Sequence, residues 1–313
     1  MPTTYIIGHR KPDTDSVVSA MALEYLYQQE ACFGYDQPQA AIVDPLNPET
    51  SYLFERFAVE VPPTITAQDL EATDQVVLVD HNEADQNLPD LNQAQIVEII
   101  DHHKINLNLG RPIFATFKTW GATATIIYHL MKQVEVKPDK KLAALMLAAI
   151  LSDTVGFKSA TTTDQDKTIG QELAKIAQID DLQEFAADIF KAKSNLVDLT
   201  PVEIVQNDYK IYDFAQKTFI NQLETVEQKE ILNQQKAELL AAMKKVKAEQ
   251  QVELLFVAVT DVLQENTKLL LTSEAEAAVA EQAFGGTAQD HVLDIGPRLS
   301  RKKQIAPEIE KNL

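Results

Sequence analysis

The sequence predicts an α/β protein, with an N-terminal domain on a mostly parallel, doubly wound sheet and a smaller C-terminal α/β domain. Three observations carry this expectation. In the first half, short runs rich in β-branched residues alternate with helical stretches, the pattern of βαβ units. In the second half the texture changes, because neither Gly nor Pro occurs from Val202 to Phe284. Between the halves, the stretch from Ser194 to Pro201 reads as a linker with proline at a helix start, which puts the boundary at about 190–200.

Taken in order, Tyr5-Ile6-Ile7-Gly8 reads as a buried strand, followed by a loop and an amphipathic helix from about Ser16 to Gln29. Ala40 to Val43, Gln75 to Val79 and Ile96 to Ile100 repeat the strand signal. The apolar run from Leu142 to Leu151 reads as a buried helix. Glu227 to Gln251 reads as one long polar helix, and Leu254 to Thr260 and Lys268 to Thr272 as a strand pair. No internal repeat or low-complexity tract interrupts this order.

Composition narrows the class. The chain has 313 residues and a formal net charge of −19. So acidic a surface argues against a protein that coats nucleic acid or a membrane, since either needs a basic face. The single cysteine, Cys32, allows no intrachain disulfide and excludes a Cys-rich zinc module, as suits a reducing cytosol. The start of the chain lacks a signal-like basic and apolar stretch, and ten apolar residues from Leu142 to Leu151 are too few to span a bilayer. The expectation is a cytoplasmic protein with no nucleic-acid or membrane partner.

In a parallel sheet, ligands bind beyond the carboxyl ends of the strands. Those positions hold His9 to Ser16 after the first strand, Asp80-His81-Asn82-Glu83 after the third and Asp101-His102-His103-Lys104 after the fourth. Ser152-Asp153-Thr154 closes the apolar helix. Taken singly, each cluster has a bland reading: a D-x-D pair is more often a turn or cap, a lone histidine is more often a satisfied side chain, and Asp153 reads as a cap. One metal site explains them all together. Aspartate-rich sites with imidazole and no thiolate favour Mn²⁺, Mg²⁺ or Co²⁺. Four carboxylates balance two divalent ions, and one economical arrangement has Asp80 and Asp153 bridging both. His9 and Asp13 complete one ion, and Asp15 and His102 the other. Such a pair shares a bridging water and suits phosphoryl hydrolysis. The basic segment Ser300-Arg301-Lys302-Lys303-Gln304 stands out in so acidic a chain and reads as a clamp for a polyanion.

The set GHRKPDTDS (8–16), VDHNE (79–83), DHH (101–103), SDT (152–154) and SRKKQ (300–304) closely resembles family II inorganic pyrophosphatases, manganese-dependent enzymes of the DHH phosphoesterase superfamily. Gly121 to Tyr128 also resembles the family's segment after the DHH motif. The resemblance covers essentially the whole chain. It implies a dimetal catalytic domain over 1–190 and a substrate-binding domain over 197–313 that closes on it. It implies hydrolysis of pyrophosphate by a dimetal-bridged hydroxide, two Mn²⁺ (or Co²⁺) ions, Mg²⁺ arriving with the substrate, and a homodimer. The metal ligands it implies are His9, Asp13, Asp15, Asp80, His102 and Asp153, with Asp80, Asp153 and His103 at the reaction centre. His103 would give a hydrogen bond or proton to the leaving phosphate. Phosphate-binding roles fall on Arg301, Lys302 and Lys210, with Lys217 the alternative to Lys210.

One departure is visible, Lys11 where the family usually has Asn. No nucleotide-binding insert separates the DHH and SDT motifs, which lie about fifty residues apart. A phosphodiesterase of the same superfamily, acting on short oligonucleotides or cyclic dinucleotides, is the rival reading. That branch carries a GGGH-like motif, whereas this chain has only Gly285-Gly286 followed by Thr287. A non-catalytic scaffold relative would be expected to lose metal ligands, and all six are present here.

Overall fold

The computed structural model describes residues 2–29, 33–194 and 199–313, so Cys32 and the centre of the expected linker lie outside the described residues. The chain forms two compact units, Met1–Lys193 and Ser194–Leu313. The first contains β1 (Thr4–Ile7), α1 (Thr14–Gln29), β2 (Pro38–Ala41), α2 (Pro48–Phe57), β3 (Gln75–Val79), β4 (Ile96–Asp101) and β5 (Phe114–Phe117), then α3 (Thr123–Gln133), α4 (Lys140–Asp153), α5 (Asp164–Ala177) and α6 (Leu182–Ser194). The second contains α7 (Pro201–Val205), β6 (Tyr209–Asp213), β7 (Lys217–Thr225), α8 (Gln228–Gln234), α9 (Lys236–Glu249), β8 (Leu254–Asp261) and β9 (Asn266–Leu270). It ends with α10 (Glu274–Phe284), β10 (Val292–Gly296), a π-helical turn over Arg301–Ile305 and α11 (Ala306–Lys311).

The first sheet is entirely parallel, in the order β2-β1-β3-β4-β5. Its inner strands β1, β3 and β4 are mainly apolar and β-branched because both faces are covered. On one side Ile7, Val76, Leu78 and Ile99 meet Leu88, Leu91 and Leu107 from the connecting segments. α1 and α4 pack against each other, and α4 is buried on all sides from Leu142 to Ser152, as expected of an Ala- and Leu-rich helix apolar around its whole circumference. The Asp139 side chain caps it by accepting from Leu142 N. The strand order reverses direction between β1 and β3. That reversal opens a crevice at their carboxyl ends, the usual ligand position of such sheets.

The second sheet is mixed, in the order β10-β9-β8-β7-β6. Only β7 and β8 run parallel, joined by the α8–α9 crossover, and the other neighbours are antiparallel. The strand pair expected from Leu254 onward is β8 and β9. The single helix expected from Glu227 to Gln251 is instead two, broken at Gln235, whose backbone (φ −113°, ψ −4°) departs from the helix. Pro201 does open a helix: Thr200 accepts from Glu203 N while the Glu203 carboxylate accepts from Thr200 N, a reciprocal cap.

Candidate metal centre

The loop after β1 is held tightly against α1. A Cβ on Gly8 would fall 1.9 Å from Ser16 Oγ, so only glycine fits, and the next residue, His9, donates its backbone N–H to that hydroxyl at 2.9 Å. Asp13 caps α1 through Oδ1, which accepts from Ser16 N at 3.0 Å. Its other oxygen, Oδ2, lies 3.6 Å from His9 Nε2. The cap and ligand readings of Asp13 are therefore compatible, one oxygen for each. Asp15, in the first turn of α1, is fully buried. It accepts from Thr123 N (2.6 Å) and Ala124 N (2.9 Å) at the start of α3, where the helix dipole favours negative charge.

Asp80 stands at the centre. It follows β3 in the left-handed region, φ 62°, where aspartate is tolerated better than most residues. One oxygen, Oδ1, accepts from Thr123 Oγ1 at 3.0 Å and lies 3.3 Å from His102 Nε2. The other, Oδ2, lies 3.5 Å from His9 Nε2. His102 Nε2 is also 3.7 Å from Asp153 Oδ2, at the end of α4. The six expected ligands thus fall into two groups, His9–Asp13–Asp80 and Asp15–Asp80–His102–Asp153, with donor atoms within 4.8 Å of one another in each. Asp80 belongs to both. A third group joins Asp80 and His102 to His103.

His9 and His102 are oriented as metal-binding histidines would be. His9 Nδ1 donates to Arg10 O at 2.8 Å and His102 Nδ1 to Trp120 O at 3.0 Å, which leaves each Nε2 facing the carboxylates. Asp80 Oδ2 and His102 Nε2 are buried with no hydrogen-bond partner among the described residues. Buried polar atoms left without partners are costly unless cations satisfy them. The residues therefore fit divalent ions.

The electrostatics agree. Burial alone would lower the basicity of His9, but its hydrogen bonds to Asp13 and Asp80 outweigh burial and raise it to about 11. His102 rises in the same way, to about 9, against Asp80 and Asp15. Burial and mutual repulsion push the Asp15 and Asp153 carboxyls up, whereas the two histidines overcome burial and hold Asp80 down. These shifts favour protons at the positions where metal ions would compete for the same charge.

His103 is turned differently. Asp101, fully buried, accepts from His103 N (3.0 Å) and His103 Nδ1 (2.9 Å) on one oxygen and from Asn82 Nδ2 (2.6 Å) on the other. The half-exposed His103 ring therefore presents Nε2 away from its anchor. Sequence reasoning assigned no role to Asp101, Thr123 or Asp166. The last, buried, accepts from Gly121 N and Thr125 Oγ1 and so fixes the turn that delivers Thr123 and Ala124 to Asp15. Thr123 lay within a segment already singled out, but nothing local marked Asp166 beyond its capping-box spacing from Thr163.

In the second unit the SRKKQ segment is an ordered turn. Ser300 Oγ accepts from Lys303 N, and Gln304 Oε1 accepts from Leu299 N and Ser300 N. Arg301 is largely buried, with Nη1 2.6 Å from Asp208 O and 2.9 Å from Asp208 Oδ1, while Lys302 is exposed. Lys210 lies two residues from Asp208 on β6, its Nζ 5.3 Å from the centre of the Tyr212 ring. Lys217 pairs in register with Asp213 at the opposite end of that hairpin, and its Nζ donates to Gln250 O. Arg301 thus meets Asp208, two residues before Lys210. Lys11 is exposed and left-handed, φ 51°, its N–H held by Asp44 Oδ2 at 2.8 Å. Asn suits that backbone better than Lys, so the departure at position 11 has a conformational meaning.

The DHH family N-terminal domain matches residues 3–150 and the DHHA2 domain residues 187–312. A manganese-dependent inorganic pyrophosphatase of Methanothrix thermoacetophila is 39% identical over 310 residues, covering 98% of this chain and 97% of its own length. One from Bacillus subtilis is 37% identical over 309 residues, with the same coverage. A solved structure from Methanococcus jannaschii, described as a family II inorganic pyrophosphatase, superposes with a TM-score of 0.63 at 33% identity over 99% of each chain.

Proposed function

This chain belongs to the manganese-dependent inorganic pyrophosphatase family, and from that premise we propose that it hydrolyses pyrophosphate to two phosphates at a centre built around Asp80. The observation that supports this most directly is the shared carboxylate: two donor groups meet at Asp80, and its buried Oδ2 has no hydrogen-bond partner among the described residues. We assign His9 and Asp13 to one ion, Asp15 and His102 to a second, and Asp80 and Asp153 to both. Divalent ions held there, Mn²⁺ or Co²⁺, lower the pKa of bound water and draw charge from phosphoryl oxygens.

The protein's own groups supply positioning and charge, which dominate phosphoryl-transfer catalysis. Asp101 holds His103 so that Nε2 can give a hydrogen bond or proton to the leaving phosphate. Arg301, Lys302 and Lys210 neutralise phosphate oxygens, and Mg²⁺ enters with the substrate. Lys210 is preferred over Lys217 because it shares the Asp208 neighbourhood with Arg301. We further assign the protein to the cytoplasm, as a homodimer without a nucleic-acid partner. No helix among the described residues is long and apolar enough to cross a membrane.

The test of the reaction is phosphate release from pyrophosphate, run beside a dinucleotide control. Release from pyrophosphate with the dinucleotide inert is expected; cleavage of the dinucleotide alone would move the centre to the phosphodiesterase reading. In the same assay Arg301→Ala is expected to raise KM about ten- to a hundredfold, the loss of a charge-assisted phosphate contact, with bound metal unchanged. Loss of metal in that variant would contradict the assignment of Arg301 to substrate.

A further inference from the structure

Gln222 sits in the middle of β7, with β6 and β8 on either side, and its side chain is buried. It shares a sheet face with Ile220 and with Ala258, its partner in register on β8, and both belong to an apolar core that also holds Ile305 and Ile309. An amide in such a place is costly unless its polar atoms are satisfied. Nε2 donates to Leu299 O at 2.9 Å and to Thr260 Oγ1 at 3.3 Å, and Oε1 accepts from Arg301 N at 2.8 Å. One side chain thus grips the main chain on both sides of Ser300. The two backbone partners fix which way the amide faces, since a carbonyl only accepts and an N–H only donates.

The same residue reaches the far end of Arg301. Gln222 N donates to Asp208 O at 2.9 Å, and that carbonyl also accepts from Arg301 Nη1 at 2.6 Å. Arg301 is therefore held at its backbone by the Gln222 side chain and at its guanidinium by a carbonyl that Gln222 also fixes. We infer that Gln222 is a positioning residue that sets where Arg301 presents its guanidinium to a phosphate. The inference rests on the functional reading above, which gives Arg301 to substrate. A buried amide that merely satisfied the sheet would cost stability when replaced and leave substrate binding by the folded protein alone. Gln228 has that plainer role in the same unit: it is buried, and its Nε2 donates to Val259 O and Asn266 O, neither of them in the basic turn.

The experiment is a double-mutant cycle over Gln222→Met and Arg301→Ala, with KM for pyrophosphate and bound Mn²⁺ measured on folded protein. Gln222→Met keeps the volume and loses the hydrogen bonds of the amide. It is expected to raise KM about three- to tenfold when Arg301 is present and by less than about twofold in the Arg301→Ala background, with bound Mn²⁺ unchanged in both. Gln228→Met is expected to leave KM unchanged. Gln222→Asn, which keeps the amide on a shorter reach, carries the same cycle if the Met variant does not fold. An unchanged KM in the Gln222 variant, an equal rise with and without Arg301, or an equal rise in Gln228→Met overturns the inference and leaves the functional reading intact. An unchanged KM in Arg301→Ala alone overturns the assignment of Arg301 to substrate and the inference with it. Absence of phosphate release by the unaltered protein overturns the functional reading itself.

Discussion

Asp80→Asn abolishes tight Mn²⁺ binding in both donor groups and lowers phosphate release from pyrophosphate by at least about a thousandfold. Asn is the informative replacement. It tolerates the left-handed backbone at φ 62° and can still accept from Thr123 Oγ1, so what it removes is the charge and one metal-binding oxygen. Alanine would add backbone strain and confuse folding with ligation. The companion variant Asp13→Asn touches only the His9–Asp13–Asp80 group, and its amide can keep the α1 cap through Oδ1. It is expected to impair one ion and spare the other. Metal content per chain, measured beside turnover in both variants, separates a shared ligand from two independent sites. Near-normal turnover in Asp80→Asn would refute the bridging role.

The second large effect belongs to His103. Because it lies within reach of Asp80 and His102, it could be read as a further ligand. Its anchoring argues otherwise: Nδ1 is committed to Asp101, and the ring is half-exposed. His103→Gln is therefore expected to cut kcat by about a hundred- to a thousandfold with Mn²⁺ content unchanged. The hydrogen bond to Asp101 also raises the basicity of His103, so its protonated form persists above the usual histidine range. Asp101→Asn weakens that support, and the alkaline fall of activity then moves to lower pH. Loss of metal in His103→Gln would return His103 to the ligand set.

The candidate metal centre was legible because a parallel sheet gathers the residues after its strands at one edge. β3 carries the apolar run Val76–Val79 and β4 the largely apolar Ile96–Ile100, and the candidate ligands Asp80 and His102 come just after them. What supports those ligands was not legible. The backbone of Thr123 and Ala124 serves Asp15 from more than a hundred residues away, and Asp166 serves Gly121 from another helix. Contacts of that kind leave no periodicity. The fold shows the same division. β5 was missed because its edge position leaves Phe114 and Ala115 exposed and blurs the alternation. β7 was missed because Thr218, Asn221 and Gln222 are buried as polar residues, the last two donating to Asp208 O and Leu299 O, partners distant in sequence. The break at Gln235 carries no Gly or Pro, so no local signal announced it. In the second unit, the basic segment was visible as composition, while its folding into a capped turn with Arg301 on Asp208 depended on tertiary contacts.

We propose that one buried carboxylate, Asp80, unites two divalent-ion sites into a pyrophosphate-hydrolysing centre. The most direct test is stepwise addition of Mn²⁺ to chelator-treated protein, with bound metal and phosphate release from pyrophosphate read in the same samples. Expected are no release without added metal, two ions bound tightly per chain, and activity that appears as the second ion fills. Full activity with a single ion bound, or with none, would contradict it.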